Sequence, residues 1–202
     1  MDPAKTVVVA LPRGGVPVAE EVCKAYRLPL DLVFVRKIGV PGQPEVAIGA
    51  IADGVHPKIF TNPRIARSTG LSDAVIEKMG HALLPEIERR KKRYLHGLER
   101  PDLKGKTIVV VDDGVATGAT LRASLLALKG SGAAHIILAL PTAPPDVLGS
   151  LEPLVDEIIC LHPQSPFRSV GAAYQNFPQT SDDEVTQALQ RCAGFVANKE
   201  DG

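Results

Sequence analysis

Five short apolar runs divide the chain, and the spacing between them is the first guide to its fold. Thr6–Leu11, Leu30–Val35, Ile108–Val111, His135–Leu140 and Glu157–Leu161 read as strands. Ile108–Val111 is apolar at every position, as expected of a strand buried on both faces in a parallel sheet covered by helices. Helical periodicity fills the gaps between runs. Pro17 suits a first helical turn, with Val18, Val22, Ala25 and Tyr26 as its buried stripe. Leu121, Leu125 and Leu128 recur at i, i+4 and i+7, and Gly130 supplies a stop. Ser72 caps a helical region to about Glu99 that Pro85 breaks or restarts, and Thr180-Ser-Asp-Asp-Glu caps a last helix to about Val196. Such alternation predicts an α/β fold: a mainly parallel twisted sheet flanked by helices, with right-handed crossovers.

One stretch breaks the pattern. Gly39, Pro41, Gly42, Pro44 and Gly49 punctuate it, so residues 38–54 read as a flexible loop holding at most a short strand at Ala47–Ala52. The 202 residues suffice for a single well-buried domain spanning 1–202. Lys plus Arg number 23 and Asp plus Glu 23, so no global field favours nucleic acid or an anionic membrane, and neither is an expected partner. The run Arg89-Arg90-Lys91-Lys92-Arg93 spreads around a helix rather than forming one stripe and reads as a solvated face, though an arginine from it can reach an anion site from below. No stretch approaches the ~20 apolar residues of a membrane span, and the opening Met-Asp-Pro-Ala-Lys lacks a signal peptide's apolar segment, so a cytoplasmic location is expected. Cys23, Cys160 and Cys192 are widely spaced and read as reduced thiols.

Candidate chemistry concentrates after the most apolar run. Asp112 and Asp113 end that strand, at the edge where open α/β sheets bind ligands, and two neighbouring carboxylates there call for sugar hydroxyls or a cation as partner. Gly114, Val115, Ala116, Thr117, Gly118, Ala119 and Thr120 follow, with small side chains that free backbone N–H groups for an anion and two hydroxyls to assist. The next helix would aim its N-terminus at the same anion. Arg13-Gly14-Gly15 after the first strand can turn amides and a guanidinium towards phosphate, but a plain strand-to-helix turn fits equally well. Arg36-Lys37 reads as two cations for a departing anion or, with equal weight, as a solvated edge.

Val109–Leu121 resembles, without a gap, the signature of the type I phosphoribosyltransferases for 5-phosphoribosyl 1-pyrophosphate (PRPP). The likeness covers most of residues 7–190 and is strongest to members with a Leu-Pro-Arg-Gly-Gly-Val-Pro loop near the start, a Tyr-x-x-Phe before an acidic helix, and no assigned base; these usually carry a further helix before the first strand. The resemblance implies transfer of 5-phosphoribose from PRPP to a nitrogenous, nucleobase-like acceptor with release of pyrophosphate, as part of nucleotide metabolism; the alternative is a non-catalytic PRPP or nucleotide-binding regulator. It implies that Asp112 and Asp113 hold the ribose hydroxyls, residues 114–120 cradle the 5′-phosphate, and Arg13, Gly14 and Gly15 contact pyrophosphate across an unusual Arg13–Gly14 peptide bond. By the same resemblance Arg36 and Lys37 neutralise the leaving group, ahead of a catalytic loop in which Glu45 is the candidate proton-transfer residue. Mg²⁺ is the implied cofactor, carried mainly by PRPP and water and approached by Asp112 and Asp113. A hood over residues 162–180 would meet the base through Tyr174 and Phe177, and a homodimer is allowed. Hypoxanthine and guanine members place an Asp in the phosphate loop where this chain has Ala116, which makes it look more like the adenine or orotate branches.

Overall fold

Side chains alternate across the central strands and sort the apolar residues into two cores, one on each face of a sheet. A computed structural model of the protein describes residues 1–53 and 57–197. Along the chain run β1 (Thr6–Ala10), α1 (Gly15–Tyr26), β2 (Leu30–Leu32), β3 (Val35–Val40), β4 (Gln43–Ala52), β5 (Lys58–Thr61), α2 (Pro63–Thr69), α3 (Asp73–His81) and α4 (Leu84–Tyr94). Then come β6 (Thr107–Val111), α5 (Ala119–Lys129), β7 (His135–Ala143), α6 (Pro145–Leu151), β8 (Glu157–Pro163) and α7 (Asp182–Ala197). β2, β1, β6, β7 and β8 form a parallel sheet in that order, with the apolar run of β6 at its centre. Val8, Ala10, Val109 and Val111 face α1 and α7, while Val7, Val9, Ile108 and Val110 face α5 and α6.

Three readings of the sequence need correction. The stretch read as a flexible loop over 38–54 is a β-hairpin through Ala52, and β3, β4 and β5 make a separate antiparallel sheet; Gly54 lies outside the described residues. Its glycines serve two needs: Gly42 makes the turn with φ +78°, and a Cβ on Gly39 would lie 2.7 Å from the Pro44 carbonyl oxygen where the register shifts. Leu30–Val35 is not one strand either. Phe34 donates its N–H to Asp53 Oδ1 at 3.1 Å and accepts from the Asp53 N–H at 2.9 Å, which pins the point where the chain leaves the parallel sheet for the hairpin. On α1 the buried stripe is Val16, Ala19 and Cys23, with Ala25 and Tyr26 exposed. Val18 and Val22 of the expected stripe are half-buried against the same core, while the small side chains at 19 and 23 are buried in it.

Elsewhere the patterns match more closely. Leu121, Leu125 and Leu128 are buried against the sheet. The helical region divides between α3 and α4 with Pro85 in the first turn of α4, but it ends at Tyr94 rather than near Glu99, and Ser72 stands at the N-cap of α3 without a side-chain hydrogen bond. Ser181 and Glu184 form a reciprocal capping box at the start of α7, with Glu184 Oε2 accepting from the Ser181 N–H at 2.7 Å. Cys23, Cys160 and Cys192 are free thiols. Among the described residues no helix is long and apolar enough to cross a membrane.

Candidate active site

The carboxyl ends of β1 and β6 are neighbours in the sheet, so the loops leaving them share one rim. Asp112 and Asp113 stand where β6 ends. The Asp113 N–H donates to Asp112 Oδ1 at 2.9 Å. Burial, then the charge of Asp113, pushes the Asp112 carboxyl well above the usual carboxylate range; burial raises Asp113 as well. Among the described residues neither carboxylate has a cation paired with it. The segment that follows is shaped by backbone constraints. Gly114 has φ +151° and runs so close to β7 and the hood that a Cβ would lie 2.9 Å from Thr142 Cγ2 and from Val170 Cγ1. Gly118, with φ +76°, opens α5 and accepts from the Arg122 N–H at 2.8 Å. The resulting cleft, about 160 Å³, is lined by Asp112, residues 114–121 and Lys37.

Glycines also set the approach of the β1 loop. A Cβ on Gly14 would overlap Asp113 Oδ2, and one on Gly15 would lie 2.7 Å from the Val111 carbonyl oxygen and 2.8 Å from Asp112 Cα. Only residues without a side chain let this loop rest on the acidic pair. The non-proline cis peptide here joins Pro12 to Arg13, one bond before the expected Arg13–Gly14 position. Arg13 is exposed, and its Nη1 lies 3.4 Å from Asp182 Oδ1. Asp182 also accepts from the Tyr94 hydroxyl and pairs with Arg93 through Oδ2. The hydrogen bond from Tyr94, with the charges of Arg93 and Arg13, holds the Asp182 carboxyl below its ordinary value. The sequence reading missed this role for Asp182, because Thr180-Ser-Asp-Asp-Glu reads as a helix cap and nothing in it marks a partner at position 13.

Between the β1 loop and the hood lies a second cleft of about 430 Å³, bordered by Arg13, Asp113, Tyr174 and Phe177 among others. The Tyr174 hydroxyl donates to the Asp113 carbonyl oxygen at 2.5 Å, and its ring meets that of Phe177 at a centroid distance of 5.0 Å. Burial and the neighbouring carboxylates of Asp113 and Asp112 push the Tyr174 hydroxyl up to about 12, so it stays a donor at neutral pH. Phe177 is 47% exposed and offers a ring face to the cleft.

Not every expected residue is brought here. Successive strand residues face opposite ways, so Arg36 and Lys37 separate: Lys37 lines the cleft of the 114–121 loop and Arg36 lines neither cleft. Glu45 is exposed near the hairpin tip and lines neither cleft. In the basic run Arg89 and Arg90 pair with Glu86, Lys91 with Asp53 and Glu88, and Arg93 with Asp182; the last links α4 indirectly to Arg13.

Chemically, the rim offers two adjacent carboxylates for a diol, backbone amides with a helix N-terminus for one anion, and a glycine loop with a guanidinium for another. A hard cation suits the paired carboxylate oxygens. Among the described residues no three His, Cys, Asp or Glu side chains gather as a cage, so such an ion would draw its other ligands from substrate and water.

The family model for the phosphoribosyl transferase domain matches residues 2–153. A Mycobacterium tuberculosis protein named provisionally as a phosphoribosyl transferase, found alike in two strains, is 45% identical over 186 residues, which is 92% of this chain and 41% of its own length. The chain therefore spans about two fifths of the length of the curated relatives it matches. A crystal structure of a Thermus thermophilus protein superposes with a TM-score of 0.79 at 35% identity, covering 94% of this chain and 89% of that one.

Proposed function

The chain belongs to the phosphoribosyl transferase domain family, and from that premise we propose that it transfers 5-phosphoribose from PRPP to a nitrogenous base, releasing pyrophosphate. The observation that carries the proposal is the contact between the β1 loop and the acidic pair: Gly14 and Gly15 lie where any side chain would strike Asp113 or Asp112. Two anion-binding loops flanking a carboxylate pair match a pentose that bears phosphate at one end and pyrophosphate at the other. In this reading Asp112 and Asp113 accept from the ribose 2′- and 3′-hydroxyls. As the bond from C1 to the pyrophosphate oxygen breaks and the base nitrogen bonds to C1, the same carboxylates stabilise positive charge on the ribose. Residues 114–120 hold the 5′-phosphate, and Arg13, Gly14 and Gly15 receive the departing pyrophosphate. Tyr174 and Phe177 flank the base, with the Tyr174 hydroxyl tying the hood to Asp113. Asp112 and Asp113 would hold Mg²⁺ together with PRPP oxygens and water, and the ion would supply positive charge opposite the leaving pyrophosphate. The described chain works as one unit in this scheme, with 162–180 as its hood.

One observation favours a second reading, a non-catalytic PRPP sensor. Glu45, the candidate for proton transfer, stands outside both clefts. Pyrophosphate release from PRPP and Mg²⁺, across a panel of purine, pyrimidine and pyridine bases, separates the two. Turnover on any base supports the transferase; tight PRPP binding, measured in parallel by calorimetry, with no turnover on any of them replaces it with the sensor.

A further inference from the structure

Resting on that reading, we infer that Lys37 is the side-chain cation of the 5′-phosphate subsite rather than of the pyrophosphate subsite. The assignment follows from strand register. Directly opposed residues in an antiparallel pair share a face, and Lys37 opposes Ala50 while Arg36 opposes Ile51. Ala50 is buried in a small cluster with Ala52 and with Ala123 of α5, and Val35, two residues before Lys37, packs on the same cluster. Ile51 belongs instead to the core under α1 and α7. The hairpin therefore turns its Lys37 face to α5, the helix whose first turn closes the 114–120 loop.

Among the described residues no other side-chain cation lines that cleft. The loop itself has no Lys or Arg, and Arg122, one turn into α5, lies over the ring of Phe60 at 5.6 Å. A phosphate dianion held by amides and one helix N-terminus gains from an ammonium at the open side, and Lys37 is exposed, with no ion pair among the described residues. Arg13 borders the other cleft, with Asp113 and Tyr174. Each end of the substrate is thereby given one cation, Lys37 from the hairpin and Arg13 from the loop after β1.

Calorimetric titrations with ribose 5-phosphate and, separately, with magnesium pyrophosphate test the assignment. Lys37→Ala is expected to weaken ribose 5-phosphate about tenfold and to leave pyrophosphate within about twofold, with Lys37→Arg restoring most of the loss. Arg13→Ala is expected to show the reverse preference, and Arg36→Ala to change neither. Loss of pyrophosphate affinity in Lys37→Ala with ribose 5-phosphate unchanged, or no change for either ligand, overturns the inference. If the unsubstituted protein binds neither ligand, the phosphoribosyltransferase reading itself fails.

Discussion

Two places in this protein hold acidic residues close together, one buried and one half-buried, and they treat the charge in opposite ways. On the edge strand β2, Asp31 is 1% exposed and receives Arg100 through both of its oxygens, at 2.9 to 3.2 Å; Asp53 nearby meets Lys91 at 3.2 Å and Arg100 at 3.8 Å. At the end of β6, Asp112 stands beside another carboxylate, and among the described residues no cation forms an ion pair with either. Burial raises both Asp31 and Asp112, but Arg100 opposes the shift at Asp31 whereas Asp113 adds to it at Asp112. Cavity size does not separate the two regions, since a cleft of about 550 Å³ borders Asp31 and Arg100. What separates them is charge balance: one pair is neutralised from within the fold, and the other is left for something that binds.

Removing the internal cation should erase the difference. Arg100→Met leaves Asp31 buried without its partner and is expected to cost about 3 kcal/mol of unfolding free energy, the low end of the range for a broken buried pair because Arg100 is itself partly exposed. Urea denaturation measures it, and a loss below about 1 kcal/mol would mean Asp31 is not held by this pairing. The converse change at the rim should spare the fold and remove the ligand. Asp113→Ala is expected to weaken PRPP at least about a hundredfold, from the loss of charge-assisted hydrogen bonds, with little change in melting temperature. Unchanged affinity refutes the sugar assignment.

Asp112→Asn sharpens the contrast through stability. A carboxyl whose native pKa is raised binds its proton more tightly folded than unfolded, so it weakens the fold as pH rises through and above the unfolded value near 4. The amide should therefore stabilise the ligand-free protein by about 1 kcal/mol at neutral pH, or roughly 2–4 °C in melting temperature, with no gain below about pH 4. Equal melting curves at pH 7 would contradict the account of an uncompensated charge. The smallest effect is expected at Asp182→Asn. Asp182 competes with an incoming anion for Arg13, so its neutralisation should tighten magnesium pyrophosphate about two- to threefold at low salt, and should do nothing in an Arg13→Ala background. An effect that persists without Arg13 would show that Asp182 does not act through Arg13.

Much of this site was legible as a string of letters because its chemistry is local. Strand, acidic pair, small-residue loop and helix are contiguous from Thr107 to Lys129, and each is specified by near neighbours: β-branched residues for the strand, Gly114 and Gly118 for backbone that other residues resist, a leucine repeat for α5. Arg13-Gly14-Gly15, by contrast, reads equally well as an ordinary turn until Gly14 and Gly15 are found against the acidic pair. The hairpin was not legible, because glycine and proline mark loose turns and tight strand contacts with the same letters. Gly49 resembles a loop glycine until the Phe60 carbonyl of β5 is found against it.

The amino-acid sequence by itself determined the α/β alternation, the central strand and the two loops that carry acid and amide groups, since those follow from periodicity and local backbone preference. Only the tertiary structure decided which charges meet. Arg36 and Lys37 are adjacent in sequence and parted by strand alternation, while Arg13 and Asp182 lie 169 residues apart and share a hydrogen bond. Pairing of charges depends on strand register and helix docking, which arise from burial summed over the whole chain and are written in no single segment of it.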